Sequence, residues 1–165
     1  MVGGLTPFKG DIRLDGCSFR KAPLLYRRLV SWSDAEPLYP DFLSGQDLVA
    51  FYKEARLASA AQVADLVSLF RMQSYLSTRI GSWSSGMTKK LSLLLALLGN
   101  PSLILLDEPL VTLDEDSIPV LYELIGTYHR QGARFLLSSH QPLDTSSLPV
   151  DRKIKIDNQV IQLIP

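Results

Sequence analysis

The chain has 165 residues, 46% of them hydrophobic and 21% charged, which is the balance of one globular domain with a real core. Seventeen Lys and Arg offset 17 Asp and Glu, so no global charge draws the chain to nucleic acid or to an anionic membrane. A single cysteine, Cys17, excludes an intrachain disulfide and a cysteine metal cluster, and it fits a reducing cytosol. The start of the sequence lacks the basic and apolar regions of a signal peptide, and Leu91 to Leu98 is too short to cross a bilayer, so work at a membrane implies docking on another chain.

In chain order, Gly4 to Gly10 reads as a loop and Asp11 to Leu14 alternates as a half-buried strand, followed by an Asp15-Gly16 turn. A second strand is expected around Arg28 to Trp32. The next segment, Ser33 to Asp41, holds two prolines that keep it out of regular structure and place Asp34 in a loop. Apolar residues then recur at helical spacing from Gln46 to Arg56 and from Ala60 to Arg71, predicting a pair of helices. Trp83-Ser84-Ser85-Gly86-Met87-Thr88 leads into a strongly apolar helix from Lys89 to Leu98, ended by Gly99-Asn100-Pro101. Two serines and a glycine at a helix start supply a cap and free N–H groups; such a stretch is either an ordinary cap or an anion site.

Leu103-Ile104-Leu105-Leu106 predicts a strand buried on both faces, as in a parallel sheet, and Pro109 ends its ladder. Asp107 and Glu108 then stand at the carboxyl end, where open α/β sheets bind ligands. The stretch reads either as two solvated acids or as a Walker B box, with Asp107 holding Mg²⁺ through water and Glu108 deprotonating an attacking water. Asp114 or Asp116 caps a helix running to about Tyr128, and Ala133 to Leu137 is expected as another buried strand, with His140 just beyond it. A right-handed strand, helix, strand crossover puts both strand ends on one edge, so His140 can reach Glu108. Lys153 to Leu163 alternates on both sides of Asp157-Asn158-Gln159 and predicts a terminal hairpin.

Together these pieces resemble the nucleotide-binding domain of ATP-binding cassette (ABC) proteins over essentially the whole chain. Trp83-Ser84-Ser85-Gly86-Met87 is similar to the family signature Leu-Ser-Gly-Gly-Gln, Asp107-Glu108 to Walker B, Val111-Thr112-Leu113-Asp114 to the D-loop, and His140 to the switch histidine. The resemblance implies an α/β, P-loop NTPase-like fold, with residues of about 43–98 as a helical subdomain carrying the signature and the remainder as a RecA-like core and C-terminal hairpin. It implies ATP and Mg²⁺ as ligands. Ser84, Ser85 and Gly86 would contact the phosphate held by a second ATPase subunit, and Asp114 would link the two sites. Asp107 would serve the metal, Glu108 the attacking water and His140 the γ-phosphate. The implied partners are that second subunit and membrane permease subunits, at the cytoplasmic face of a membrane, with no nucleic acid. Residues 39–48 are similar to those of exporter-type ATPases.

The chain departs from the family pattern at three places. Ser85 replaces a glycine. Asp34 stands where the family has the Q-loop glutamine; its carboxylate either binds Mg²⁺ or is a loop acid with no ligand. No Gly-x-x-x-x-Gly-Lys followed by Ser or Thr occurs in the 165 residues, and Gly4 to Ile12 resembles the segment that follows the P-loop helix. The expected fold is therefore an ABC ATPase lacking its first strands and P-loop. An amino-terminally truncated ATPase of an exporter is the expectation, and a degenerate partner that lends its signature to a complete ATPase is the alternative.

Overall fold

The computed structural model describes residues 8–148, 150–157 and 160–164. A two-residue antiparallel ribbon opens it, β1 (Arg13–Leu14) paired with β2 (Cys17–Ser18). Asp15 and Gly16 join the two strands at φ of 50° and 76°, the doubly left-handed turn that suits a tight hairpin. The strand expected at Asp11 to Leu14 is thus present only in its second half. The expected loop at Gly4 to Gly10 lies outside the described residues as far as Pro7.

The segment from Arg28 to Trp32 departs from expectation. Pro23–Leu29 is a helix, α1, and the strand β3 begins only at Val30 and ends at Ser33. Proline opens α1 at a position where its missing N–H costs nothing. The end of α1 is satisfied from far along the chain: Arg56 Nη1 donates to the carbonyls of Arg27 (3.0 Å) and Val30 (2.8 Å). Two helices follow in sequence as predicted, α2 (Gly45–Arg56) and α3 (Ala60–Leu69), each with a serine N-cap. At α2 the cap is reciprocal, Ser44 Oγ accepting from Asp47 N–H while Ser44 N–H donates to the Asp47 carboxylate.

The central element is α4, Ser85–Leu97. It starts four residues earlier than the apolar run suggested, because Ser84 Oγ accepts the N–H of Met87 and so caps the helix at the signature itself. From Leu91 to Leu98 every residue is buried. α4 packs against β3 and β4 (Leu103–Asp107), with Ser31 Oγ donating to Ala96 O (2.5 Å) and a Ser33–Ser92 hydroxyl pair at 2.8 Å. α5 (Ser117–Arg130) then crosses to β5 (Arg134–Ser138).

β3, β4 and β5 form a parallel sheet in that order, with Ser33 beside Leu106 and Asp107 beside Ser138 at its carboxyl edge. Two expectations about burial are corrected here. In β4, Ile104 and Leu106 are buried but Leu103 and Leu105 only half-buried, and in β5 burial alternates, with Leu136 48% exposed. α4 packs on β3 and β4 and α5 on β5, and burial alternates along β4 and β5, so their apolar runs mark one better-covered side where burial on both faces was expected. The hairpin expected at the end of the sequence is β6 (Lys153–Asp157) paired antiparallel with β7 (Val160–Ile164); Asn158 and Gln159 of its turn lie outside the described residues.

A buried polar node joins the helices to the rest. The Gln62 side-chain amide donates to Leu97 O, Gly99 O and the Tyr128 hydroxyl and accepts from Gly99 N–H, while the Tyr128 hydroxyl donates to Leu97 O. α3, the end of α4 and α5 meet there, and the carbonyls left free where α4 ends find their partners. Burial pushes the Tyr128 phenol up, an effect that the Gln62 bond opposes.

Candidate functional site

Parallel pairing brings the carboxyl ends of β4 and β5 together, and the acid pair and the histidine meet on that edge. Asp107 ends β4 with an exposed side chain, and its Oδ1 accepts a hydrogen bond from Ser138 Oγ, the residue beside it in the ladder. Glu108 leaves the strand at φ 43°, a left-handed conformation that costs a non-glycine residue about 1 kcal/mol or more. Its N–H still reaches Ser138 O at 3.1 Å, so the turn is tied to β5. The turn folds the carboxylate toward the loop after β5, where Oε1 accepts the backbone N–H of His140 at 2.7 Å. The imidazole Nε2 lies 3.7 Å from the same oxygen. Glu108 is shielded, its side chain 14% exposed, while the His140 ring is 98% exposed and open to whatever approaches the edge.

The signature stretch reaches the site through α4. Ser84 caps the helix, and Ser85 and Gly86 lie in its first turn, whose N–H groups have no partner within the helix. Gly86 is packed against the loop after β4: a Cβ placed on it would meet Thr112 O at 2.8 Å, and Thr112 is itself left-handed at φ 64°. Asp114, in the same loop, is bound within its own chain. Its carboxylate accepts from Lys90 Nζ (2.6 Å) and from both the N–H (3.1 Å) and the hydroxyl (2.8 Å) of Ser117 at the start of α5. Partial burial works to raise its pKa, and these bonds outweigh it, holding the carboxyl below the ordinary value.

Asp34 sits in the loop just after β3, with an exposed side chain, and its backbone is fastened beside Asp107 by Lys89. Lys89 Nζ donates to Asp34 O (2.7 Å), Ala35 O (3.3 Å) and Asp107 O (3.0 Å), and the residue is wholly buried. Burial pulls its ammonium below the usual lysine value, against the pull of Asp107, Asp34 and Glu108. Neither Lys89 nor Ser138 was singled out from the sequence. The signal for Lys89 is helical phase, since it falls on the stripe of Leu93 and Leu97, both fully buried.

Among the described residues no three His, Cys, Asp or Glu side chains group to cage a metal ion. Mg²⁺ needs no such cage, because it keeps several waters and takes one or two carboxylates plus substrate phosphates. The single exposed Asp107 carboxylate, steadied by Ser138, fits that requirement.

Residues 1–111 match the sequence profile of the ABC transporter family. The chain is 31% identical over 141 residues to the ABC transporter ATP-binding protein NatA of Bacillus subtilis (strain 168), covering 82% of this chain and 57% of that protein. It is 30% identical over 144 residues to the ABC-type transporter ATP-binding protein EcsA of the same organism, covering 85% of this chain and 58% of the relative. A solved ATP binding subunit of an ABC transporter superposes with a TM-score of 0.77 at 29% identity, over 84% of this chain and 60% of that one. The chain thus spans somewhat more than half the length of these relatives. A mixed α/β fold with a parallel sheet, a signature-like helix start and an acid pair at the strand edge therefore coincide with family-wide sequence similarity: this chain belongs to the ABC transporter ATP-binding protein family.

Proposed function

We propose that this chain acts as the ATP-binding and ATP-hydrolysing subunit of an ABC transporter, coupling hydrolysis to export across a membrane. The observation that carries the reading is the convergence of Glu108 and His140 beside Asp107, through the 2.7 Å bond from His140 N–H to Glu108 Oε1. Asp107 holds Mg²⁺, which when bound shields the phosphate charge that develops during phosphoryl transfer. Glu108, oriented by the His140 N–H, takes a proton from the attacking water, and the exposed His140 ring reaches toward the terminal phosphate. Ser84 and the N–H groups of Ser85 and Gly86 face the phosphate bound by a second ATPase subunit, at a helix start that favours negative charge. Asp114 positions that helix through Lys90 and supports the link between subunits. Asp34, exposed in the loop after β3, either takes part in holding Mg²⁺ or is a loop acid with no ligand.

Residues 43–98 serve in this reading as the helical subdomain that carries the signature. No helix among the described residues is long and apolar enough to cross a membrane; in this reading permease subunits carry the substrate across. Exposed Leu38, Phe42 and Phe51 supply apolar surface for docking on them at the cytoplasmic face. A second reading follows from the lack of a Gly-x-x-x-x-Gly-Lys loop in these 165 residues: a non-catalytic partner that completes the site of another subunit.

ATPase turnover with Mg²⁺ separates the two. Measurements are made on the chain alone, on a form carrying a P-loop, and on the chain mixed with a complete ATPase subunit. The catalytic reading expects turnover once a P-loop is supplied in the same chain. Turnover only with the complete subunit, abolished by Ser84→Arg, assigns the partner role. Absence of turnover in all three refutes both.

A further inference from the structure

Lys89 carries an ammonium into the interior, and among the described residues no carboxylate is its direct partner. Burying an unsatisfied charge is costly, yet here each of its three protons has a carbonyl oxygen to meet, in Asp34, Ala35 and Asp107. Two acceptors belong to the loop leaving β3 and one to the last residue of β4. The ladder between these strands stops at Ser33 beside Leu106, so the ammonium joins the two strand ends at the point where their own pairing ends.

We propose that Lys89 is a positioning residue, a buried pin that holds the Asp34–Ala35 loop against the end of β4 and so fixes the backbone from which Asp107 and Glu108 project. The same loop continues to Leu38 and Phe42, exposed by 93% and 74%. A displacement of that surface therefore reaches the acid pair through one side chain. The consequence for turnover rests on the ATPase reading above; the mechanical role does not.

The mechanical role is tested on this chain by amide hydrogen exchange. Lys89→Met raises exchange at Glu108, Val111 and Leu43 by about tenfold or more relative to the amides of α5, because three carbonyls lose their donor. Arg56→Met removes another side chain that donates to three carbonyls, those of Arg27, Arg28 and Val30, and raises these sites no more than α5. A uniform rise in Lys89→Met, or none, overturns the pin. If that variant does not fold, two measurements replace it: Lys89→Gln in the same exchange comparison, and NMR of the wild-type Lys89 ammonium. Slowly exchanging ammonium protons with contacts to residues 34, 35 and 107 are expected, and freely exchanging ones overturn the proposal.

The effect on the reaction is read with a complete ATPase subunit present. Lys89→Met lowers kcat about tenfold or more and leaves KM for ATP within about threefold, the mark of misplaced reacting groups with binding retained. A raised KM at unchanged kcat overturns the positioning role. If the wild-type assembly shows no turnover, the ATPase reading falls, and the exchange result still decides the pin.

Discussion

Gly86→Ala tests how tightly the start of α4 is seated. A Cβ at this position would stand 2.8 Å from the carbonyl oxygen of Thr112, a backbone atom in a loop held on both sides. That loop cannot swing away like a side chain: Val111 N–H is bonded to Glu108 O, Leu113 N–H to Leu110 O, and Asp114 to Lys90 and Ser117. Forcing an extra methyl into such a contact costs about 1–3 kcal/mol. Alanine repays part of this by its better helix propensity, about 0.5–1 kcal/mol. The net expectation is a loss of up to about 2.5 kcal/mol, which lowers the thermal midpoint of a chain of this size by up to about 10 °C. Gly126→Ala in α5 provides the contrast. The nearest atom there is Arg130 Nη1 at 3.3 Å, the tip of a flexible side chain, so propensity wins and the midpoint rises by about 1–4 °C. Thermal and urea unfolding of both variants with unchanged m-values gives the comparison. Gly86→Ala as stable as Gly126→Ala would refute the close approach of the signature helix to the loop after β4.

Three further outcomes are expected. Asp114→Asn lowers the midpoint at neutral pH; since the native carboxyl titrates below the ordinary 3.8, its contribution is fully present above that value and is lost as pH falls through the lower native pKa, so the variant and wild type converge in acid. A gap that widens on acidification would show the sign to be wrong. Gln62→Leu strips the partners from Gly99 N–H, Gly99 O and part of Leu97 O, and costs about 2–4 kcal/mol in urea unfolding, more than a surface glutamine could. Glu108→Gln, assayed with a complete ATPase subunit, keeps the His140 N–H bond through its amide oxygen and retains ATP binding, but loses hydrolysis by about 100-fold or more as the base is removed; unchanged turnover removes Glu108 from the mechanism.

How much was legible in the sequence follows from where each element gets its energy. β4, α2 and α3 were readable because their own residues specify them, through an apolar run ended by Pro109 and through helical stripes opened by serine caps. The right-handed crossover was enough to place His140 beside Glu108. α1 was not readable: it is seven residues long and buries only Tyr26 fully, while Leu24 and Leu25 face solvent, 74% and 59% exposed, so its apolar residues do not mark an inward stripe, and the helix end is held by Arg56 from a distant element. β5 looked like a core strand because hydrophobicity alone does not distinguish Phe135 and Leu137, half-buried, from Leu136 between them. Lys89 was hidden by the general rule that lysines face water, a rule that yields when three carbonyls converge on one ammonium.

The side chains of α4 show why the site needs this helix more than any strand. Its cap, Ser84, sets where the first free N–H groups point, and Gly86 lets the helix start lie against Thr112. The adjacent lysines, turned about 100° from each other around the axis, then act in different directions. Lys89 is wholly buried and fastens the ends of β3 and β4, while Lys90 holds Asp114 at 2.6 Å. The start of α4, the acid pair and the loop after β4 are thereby referred to one rigid rod, whose far end is buried from Leu91 to Leu98 and locked by Gln62 and Tyr128. A movement of this rod by a fraction of an ångström would shift all three groups together, whereas a movement of any single loop would be resisted by the other two attachments.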